Sequence, residues 1–195
     1  MLKKRVKNVW QNILINKLPS SVVIDGAEVK INTDFRICLK CILAFEDEEL
    51  TFNEKIYIML KLLYDDVPQN TDEAIKQAIW FLNCGEILDK TGENSPRLYS
   101  FEKDSKYIYV AMKQSLNANF DDLHWWDFVN YFMALDEKSF FARMIYLRSQ
   151  KSKGKLTQEE AKYYNEHRDI LELNDSEDEE SEEMIKFKNL LKKGG

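Results

Sequence analysis

The stretch Leu123-His124-Trp125-Trp126-Asp127-Phe128-Val129-Asn130-Tyr131-Phe132-Met133-Ala134-Leu135 constrains this chain more than any other. Five aromatics fall within residues 125–132, two of them Trp, an apolar area too large to leave in water for so short a segment. At helical spacing Trp125, Phe128, Val129 and Phe132 share one face, and Leu123, Trp126 and Met133 share another. So wide an apolar arc implies a central helix buried on most sides. Asp121 or Asp122 is placed to cap its N-terminus, where a carboxylate meets unpaired N–H groups and the positive end of the helix dipole. Neighbouring Trp lie about 100° apart on a helix. The plain reading makes both indoles core. The sharper one divides them, with Trp126 inward beside Leu123 and Met133 and Trp125 more exposed. On that reading Trp125, Phe128 and Phe132, together with Trp10 near the N-terminus, are the residues expected to anchor a protein partner, because Trp is enriched among binding hot spots.

The rest of the chain supplies helices for this one to pack on. Residues 1–17 carry five basic and no acidic side chains, with Val6, Val9, Trp10, Ile13 and Leu14 at spacings of three and four; they read as a short basic amphipathic helix packed on the body, ended by Pro19. Val22 to Ile31 holds two β-branched runs that meet at Asp25-Gly26, the dipeptide of tight hairpin turns. Helical patterns follow from Asp34 to Phe45, from Asn53 to Tyr64, and from a Thr71-Asp72-Glu73 start to Gly85. Beyond a polar loop around Thr91–Pro96, patterns resume over 102–116 (Tyr107, Val110, Ala111), 138–150 and 157–171, the last opened by a capping box at Thr157-Gln158-Glu159-Glu160. Residues 149–155 read as a flexible basic connector beside Arg148. Residues 172–195 begin with seven acids between 174 and 183, then turn Lys-rich, and are expected to be disordered. The fold class is therefore mainly α: a single helical domain over 18–171 with one hairpin at 22–31, a basic N-terminal helix at 1–17 and an acidic flexible tail.

Charge and chemistry narrow the function mostly by exclusion. Residues 18–173 are net acidic, which argues against nucleic acid, since phosphate contacts need a basic face. No apolar run is long enough to span a membrane, and the basic N-terminus lacks the pattern of a secretory signal. Cys38-Leu39-Lys40-Cys41 has the spacing of a zinc or thiol-exchange pair, yet it sits inside a helical apolar run, and Cys84, His124 and His167 supply no second half-site; the three Cys read as small core hydrophobes. His124 has no Ser or Cys nucleophile motif beside it. Phosphate loops and nucleotide fingerprints are absent from the sequence. No catalytic, cofactor-binding or metal-binding residue is nominated, and the chain is expected not to be an enzyme.

The order of segments is nevertheless distinctive. Leu18-Pro19, the hairpin with Ile24-Asp25-Gly26, Ile31-Asn32-Thr33-Asp34-Phe35-Arg36, Ala78-Ile79-Trp80-Phe81 with Cys84-Gly85, Phe101-Glu102-Lys103-Asp104, Tyr107-Ile108-Tyr109, Leu123-His124-Trp125-Trp126-Asp127-Phe128, Arg148-Ser149 and Lys162-Tyr163-Tyr164 together resemble a family of small tail proteins of bacteriophages of Gram-positive bacteria. The His-Trp-Trp run is the most specific element and Asn-Thr-Asp-Phe-Arg the second. The resemblance implies a gene just before that of the tape measure and a role as tail assembly chaperone, binding the tape-measure or tail-tube protein in the cytoplasm of the infected host. The alternative is a structural or adaptor component retained in the virion tail, using its hairpin for edge pairing. No cofactor, nucleic acid or membrane enters either reading, and a homo-oligomer is compatible with both. The basic N-terminal helix and the acidic tail depart from the family pattern.

Overall fold

A computed structural model of the chain describes residues 13–86, 96–115 and 120–173. Trp10 and the basic stretch up to residue 12 lie outside the described residues, as do the acidic run and Lys-rich end from residue 174 onward. The described residues form one antiparallel hairpin, β1 (Ser21–Ile24) and β2 (Ala27–Lys30), followed by eight helices. These are α1 (Phe35–Glu46), α2 (Phe52–Leu63), α3 (Thr71–Leu82), α4 (Ser105–Ser115), α5 (Trp125–Met133), α6 (Phe140–Ser152), α7 (Gln158–Glu166) and α8 (Arg168–Leu171). The mainly helical class with a single N-terminal hairpin is the one the patterning predicts. Contacts divide the described residues into two compact units, 13–86 with 121–129, and 96–115 with 120 and 130–173.

In the first unit the hairpin closes on a two-residue turn, with Asp25 at φ 51° and Gly26 at φ 78°, the positive pair that matches strand twist. Ile24 faces Ala27 and Val22 faces Val29. Val22 and Ile24 are buried while Val23 between them is exposed, the alternation of a half-buried strand. Helix α1 is capped by Asp34, whose carboxylate accepts from Arg36 N–H at 2.7 Å, and it buries Phe35, Cys38 and Cys41. Helix α2 opens with a Thr51–Glu54 capping box and buries Met59, Leu60 and Leu63. Helix α3 is capped by Asn70, one residue ahead of the expected Thr71, through Glu73 N–H at 3.2 Å. Ile13, Leu14 and Ile15, read from the sequence as the end of a packed helix, form an exposed turn, with Leu14 91% exposed. Alone, so short a segment has few helical bonds to gain.

In the second unit α4 buries Ile108, Ala111 and Met112. Val110, expected on the inner stripe, is exposed, because the 108/111/112 spacing turns that position outward. Helix α6 buries Phe141, Met144, Leu147 and Arg148 and runs on to Ser152. The basic connector expected at 149–155 is thus largely helix: it turns only at Gly154, φ 64°, where Gly154 N–H donates to Lys151 O and Lys155 N–H to Gln150 O. Thr157 and Glu160 do form the capping box of α7. The single helix expected over 157–171 breaks at His167, whose backbone N–H closes on Tyr163 O. Met144, Leu147, Tyr164 and Leu171 pack there as a small core, with Tyr107, Leu156, Tyr163 and Ile170 against it.

Candidate functional site

Two side-chain constellations gather most of the distinctive segments, one in each unit. The first is built where α1 and α5 begin. Asn32-Thr33-Asp34-Phe35 and Leu123-His124-Trp125 run antiparallel there: Asp34 bridges His124, Phe35 N–H donates to Leu123 O at 3.2 Å, and Trp125 N–H to Thr33 O at 2.8 Å. Arg36 reaches across to Asp121, donating to its backbone O at 3.2 Å and pairing with its carboxylate at 3.4 Å. Phe35 stacks on Phe128 at 4.8 Å, and Trp125 stacks on the same Phe128 at 5.6 Å. The two most specific stretches of the sequence therefore meet each other, 85 residues apart for the Arg36–Asp121 contact.

His124, not Asp121 or Asp122, caps α5. Its backbone O accepts the first helical bond, from Phe128 N–H at 2.9 Å, and its ring Nδ1 accepts Trp126 N–H at 3.0 Å. With Nδ1 an acceptor the ring proton sits on Nε2, which lies 3.0 Å from Pro19 O and donates to it. Both ring nitrogens are spent. Asp121 is drawn off to Arg36, so that carboxylate is not at the helix end.

Trp125 and Trp126 do not divide between core and surface: they are 3% and 4% exposed. The plain reading, both indoles core, is the one observed, and the exposure that the sharper reading gave Trp125 is corrected: the Trp125 indole N–H donates to Leu82 O and the Trp126 indole N–H to Phe81 O, each at 2.9 Å. The two acceptors are the last carbonyls of α3, which a helix leaves unpaired. A Schellman turn closes the remainder: Asn83 N–H to Ile79 O, Gly85 N–H to Trp80 O and Cys84 N–H to Phe81 O. Cys84 takes the left-handed position at φ 54° and Gly85 follows at φ 79°. A Cβ on Gly85 would lie 2.9 Å from the Trp126 ring, so this backbone has to be bare. Two indoles 100° apart are both buried because a helix end, unlike a flat face, offers acceptors in two directions. Met133, expected inward with Trp126, is 77% exposed instead.

The open side of this junction is a cleft of about 510 Å³ bordered by Lys30, Asp34, Asp65, Asp121, Asp122 and His124. Three of its four carboxylates are engaged within the chain: Asp34 caps α1, Asp121 pairs with Arg36, and Asp65 lies 3.6 Å from Lys30. The three thiols of this unit are held protonated by burial. Burial, with Cys41, Asp34 and Cys84 adding smaller pushes, drives the Cys38 thiol far above its usual range. Burial pushes Cys41, and burial with Glu86 pushes Cys84, up to about 12. Among the described residues no cluster of three His, Cys, Asp or Glu side chains could hold a metal ion, and no helix is long and apolar enough to cross a membrane.

The second constellation is an ion pair that sequence reasoning missed. Arg148, 5% exposed, and Asp104, 0% exposed, meet through two bonds of 2.6 and 2.9 Å. Arg148 also donates to Leu171 O at 2.7 Å, Leu98 O at 3.1 Å and Ile170 O at 3.1 Å. All five guanidinium N–H groups are then used. Asp104 accepts Ser100 N–H at 3.0 Å as well and sits at the N-terminus of α4, where Ile108 N–H bonds its backbone O. Beyond the break at His167, the carbonyls of Ile170 and Leu171 face Arg148. One signal was available: Arg148 occupies the apolar stripe of α6 with Phe141, Met144 and Leu147, a place where a charge needs a partner.

Of the residues nominated as partner anchors, Trp125 and Phe128 lie in the first constellation. Phe132 packs in the second unit against Tyr99, Phe101 and Phe141 at 5.1, 5.3 and 5.7 Å. All three are buried, so in this fold they build the interior. Trp10 falls outside the described residues.

The two constellations define a class of protein: a helical scaffold whose most distinctive polar groups are consumed in holding its own helix ends together. The family model described as Bacteriophage Gp15 protein matches residues 14–173, which include both constellations. The chain belongs to this bacteriophage family. No curated protein and no solved structure matches it.

Proposed function

We propose that this phage protein is a non-enzymatic morphogenesis factor, a tail assembly chaperone that holds the tape-measure protein or tail-tube subunits in the cytoplasm of an infected Gram-positive host. The observation that carries the reading is how the distinctive residues are spent. Both His124 nitrogens, both indole N–H groups and every Arg148 donor bind within the chain, so the residues that mark this sequence are spent on its own helix ends rather than held ready for a substrate. What the surface offers is apolar and adaptable: Tyr57, Tyr109, Val110 and Met133 are all more than half exposed, and aromatic and Met side chains are the ones that grip varied clients.

The test is co-expression with the tape-measure and tail-tube genes of the same phage, followed by affinity purification and mass spectrometry of finished virions. A chaperone co-purifies with one of the two clients and is absent from particles. Recovery from purified virions at stoichiometric levels would replace this reading with the second one, a retained structural or adaptor component, which the free strand edge of the hairpin favours.

A further inference from the structure

The hairpin is two strands wide, and among the described residues no strand pairs with the outer side of β2. Ile24 and Ala27 close the turn, so the pairs Ile24–Ala27, Val22–Val29 and Ser20–Ile31 are the ones that exchange backbone hydrogen bonds; Ile31 N–H donating to Ser20 O at 3.1 Å fixes this alternation. Val23–Glu28 and Ser21–Lys30 are then the intervening pairs, and the N–H and C=O groups of Glu28 and Lys30 point away from β1. Among the described residues no backbone group bonds to them. Ala27, Glu28 and Lys30 are exposed and Val29 is half-buried. Unpaired groups in a row are a template for another strand.

We propose that this edge pairs with the same edge of a second copy of the chain, antiparallel about a two-fold axis through Val29. The charge pattern selects the occupant. About that axis Glu28 of each copy faces Lys30 of the other, twice over, while the two Val29 side chains meet on the axis. Glu28 and Lys30 are also the residues whose backbone groups point outward, so each cross-copy pair is a hydrogen-bonded one, and charge register and backbone register agree. Axes through Glu28 or Lys30 would keep only one outward-facing pair within the strand and would set like charges face to face, which destabilises a sheet. A self-complementary patch of this kind is what a two-fold interface requires. Existing contacts leave room for it: Lys30 meets Asp65 at 3.6 Å with both side chains about 80% exposed, a weak pair, and Glu28 accepts from Ser21 Oγ with its second oxygen available. Four residues of edge bury little area, so the dimer belongs among weak, concentration-dependent ones.

Sedimentation velocity on the full chain, from micromolar to near-millimolar protein, tests this directly. The wild-type chain should pass from monomer to dimer across that range. Glu28→Lys and Lys30→Glu should each raise the midpoint concentration by about tenfold or more, since each places like charges opposite at two positions. Mixed in equal amounts, the two variants should recover association, because every opposed pair is again Glu against Lys. Both sites are exposed, so circular dichroism should show the fold kept. An independent measurement needs no variant: the amide resonances of Glu28 and Lys30 in the wild-type chain should shift with concentration. A wild-type chain that stays monomeric throughout, a dimer indifferent to both single variants, a mixture that does not associate, or amide shifts located elsewhere would each overturn the proposal.

Discussion

The two units solve one problem with different chemistry. Each has to bury backbone carbonyls where a helix ends and tie them to a segment distant in sequence. The first unit does it with neutral donors, two indole N–H groups that bring a large apolar area with them. The second uses a guanidinium that takes three carbonyls and a carboxylate at once. Neutral donors remove little from water and gain packing, whereas a buried pair carries a desolvation cost that balances only while both members are present. The first unit should therefore fail by degrees and the second abruptly.

Asp104→Ala gives the largest expected effect. It leaves Arg148 charged and buried with only carbonyls for company, at a cost of about 3–5 kcal/mol, and urea unfolding should show it; a loss under about 1 kcal/mol would mean water reaches the site and the contrast is false. Trp126→Ala removes comparable stability, about 3–5 kcal/mol by cavity formation, but the Phe substitutions separate hydrogen bond from bulk. Trp125→Phe should cost more than Trp126→Phe, about 1–3 kcal/mol against less. The reason is that Phe81 O keeps Cys84 N–H as a donor while, among the described residues, Leu82 O has Trp125 alone. Equal losses would show that packing, not capping, is what the indoles contribute.

Gly85→Ala should cost about 1–3 kcal/mol from the positive φ and the close approach to Trp126, visible as a lower Tm. At the second unit's C-terminal end, hydrogen bonds from Lys151 and then Arg168 hold the Glu172 carboxyl below its usual range. A depressed folded value means the contribution is fully present above the ordinary Glu range and is lost as pH falls through the folded value. A carboxyl NMR titration should place its midpoint low, and Lys151→Ala should raise it. The smallest effect is a negative one: in the folded chain Cys38, Cys41 and Cys84 should resist alkylation at pH 8, because burial keeps all three thiols protonated. Rapid labelling of Cys41 before unfolding would show that the first unit opens more easily than its packing implies.

Much of the fold was legible in the sequence because periodicity and punctuation agree. Asp25-Gly26 made the hairpin, Asp34 the start of α1, Thr157 and Glu160 the capping box of α7. What escaped were interactions whose partners lie far off in sequence. Nothing local tells that Asp121 is drawn to Arg36, that His124 takes the cap of α5, or that Trp125 finds a carbonyl 43 residues earlier. Hydrophobic spacing assigns faces on the assumption that a helix packs side-on. The plain reading of both indoles as core holds; the sharper one exposes Trp125 because it does not foresee that α5 meets another helix at its end, and Arg148 is counted with the basic connector because spacing scores a guanidinium as solvent-seeking whatever stripe it lies on.

The first unit is discontinuous in the chain, and that has a consequence for its synthesis. Residues up to 86 emerge with Phe81 O and Leu82 O lacking their indole donors and Pro19 O without His124, and completion waits for residues 121–129. At about 5–20 residues per second of translation that interval lasts about 2–8 s, during which a hairpin and three amphipathic helices have no lid. Whatever attends the ribosome of the infected cell meets this protein first in its open form, and the arrival of two tryptophans ends that encounter.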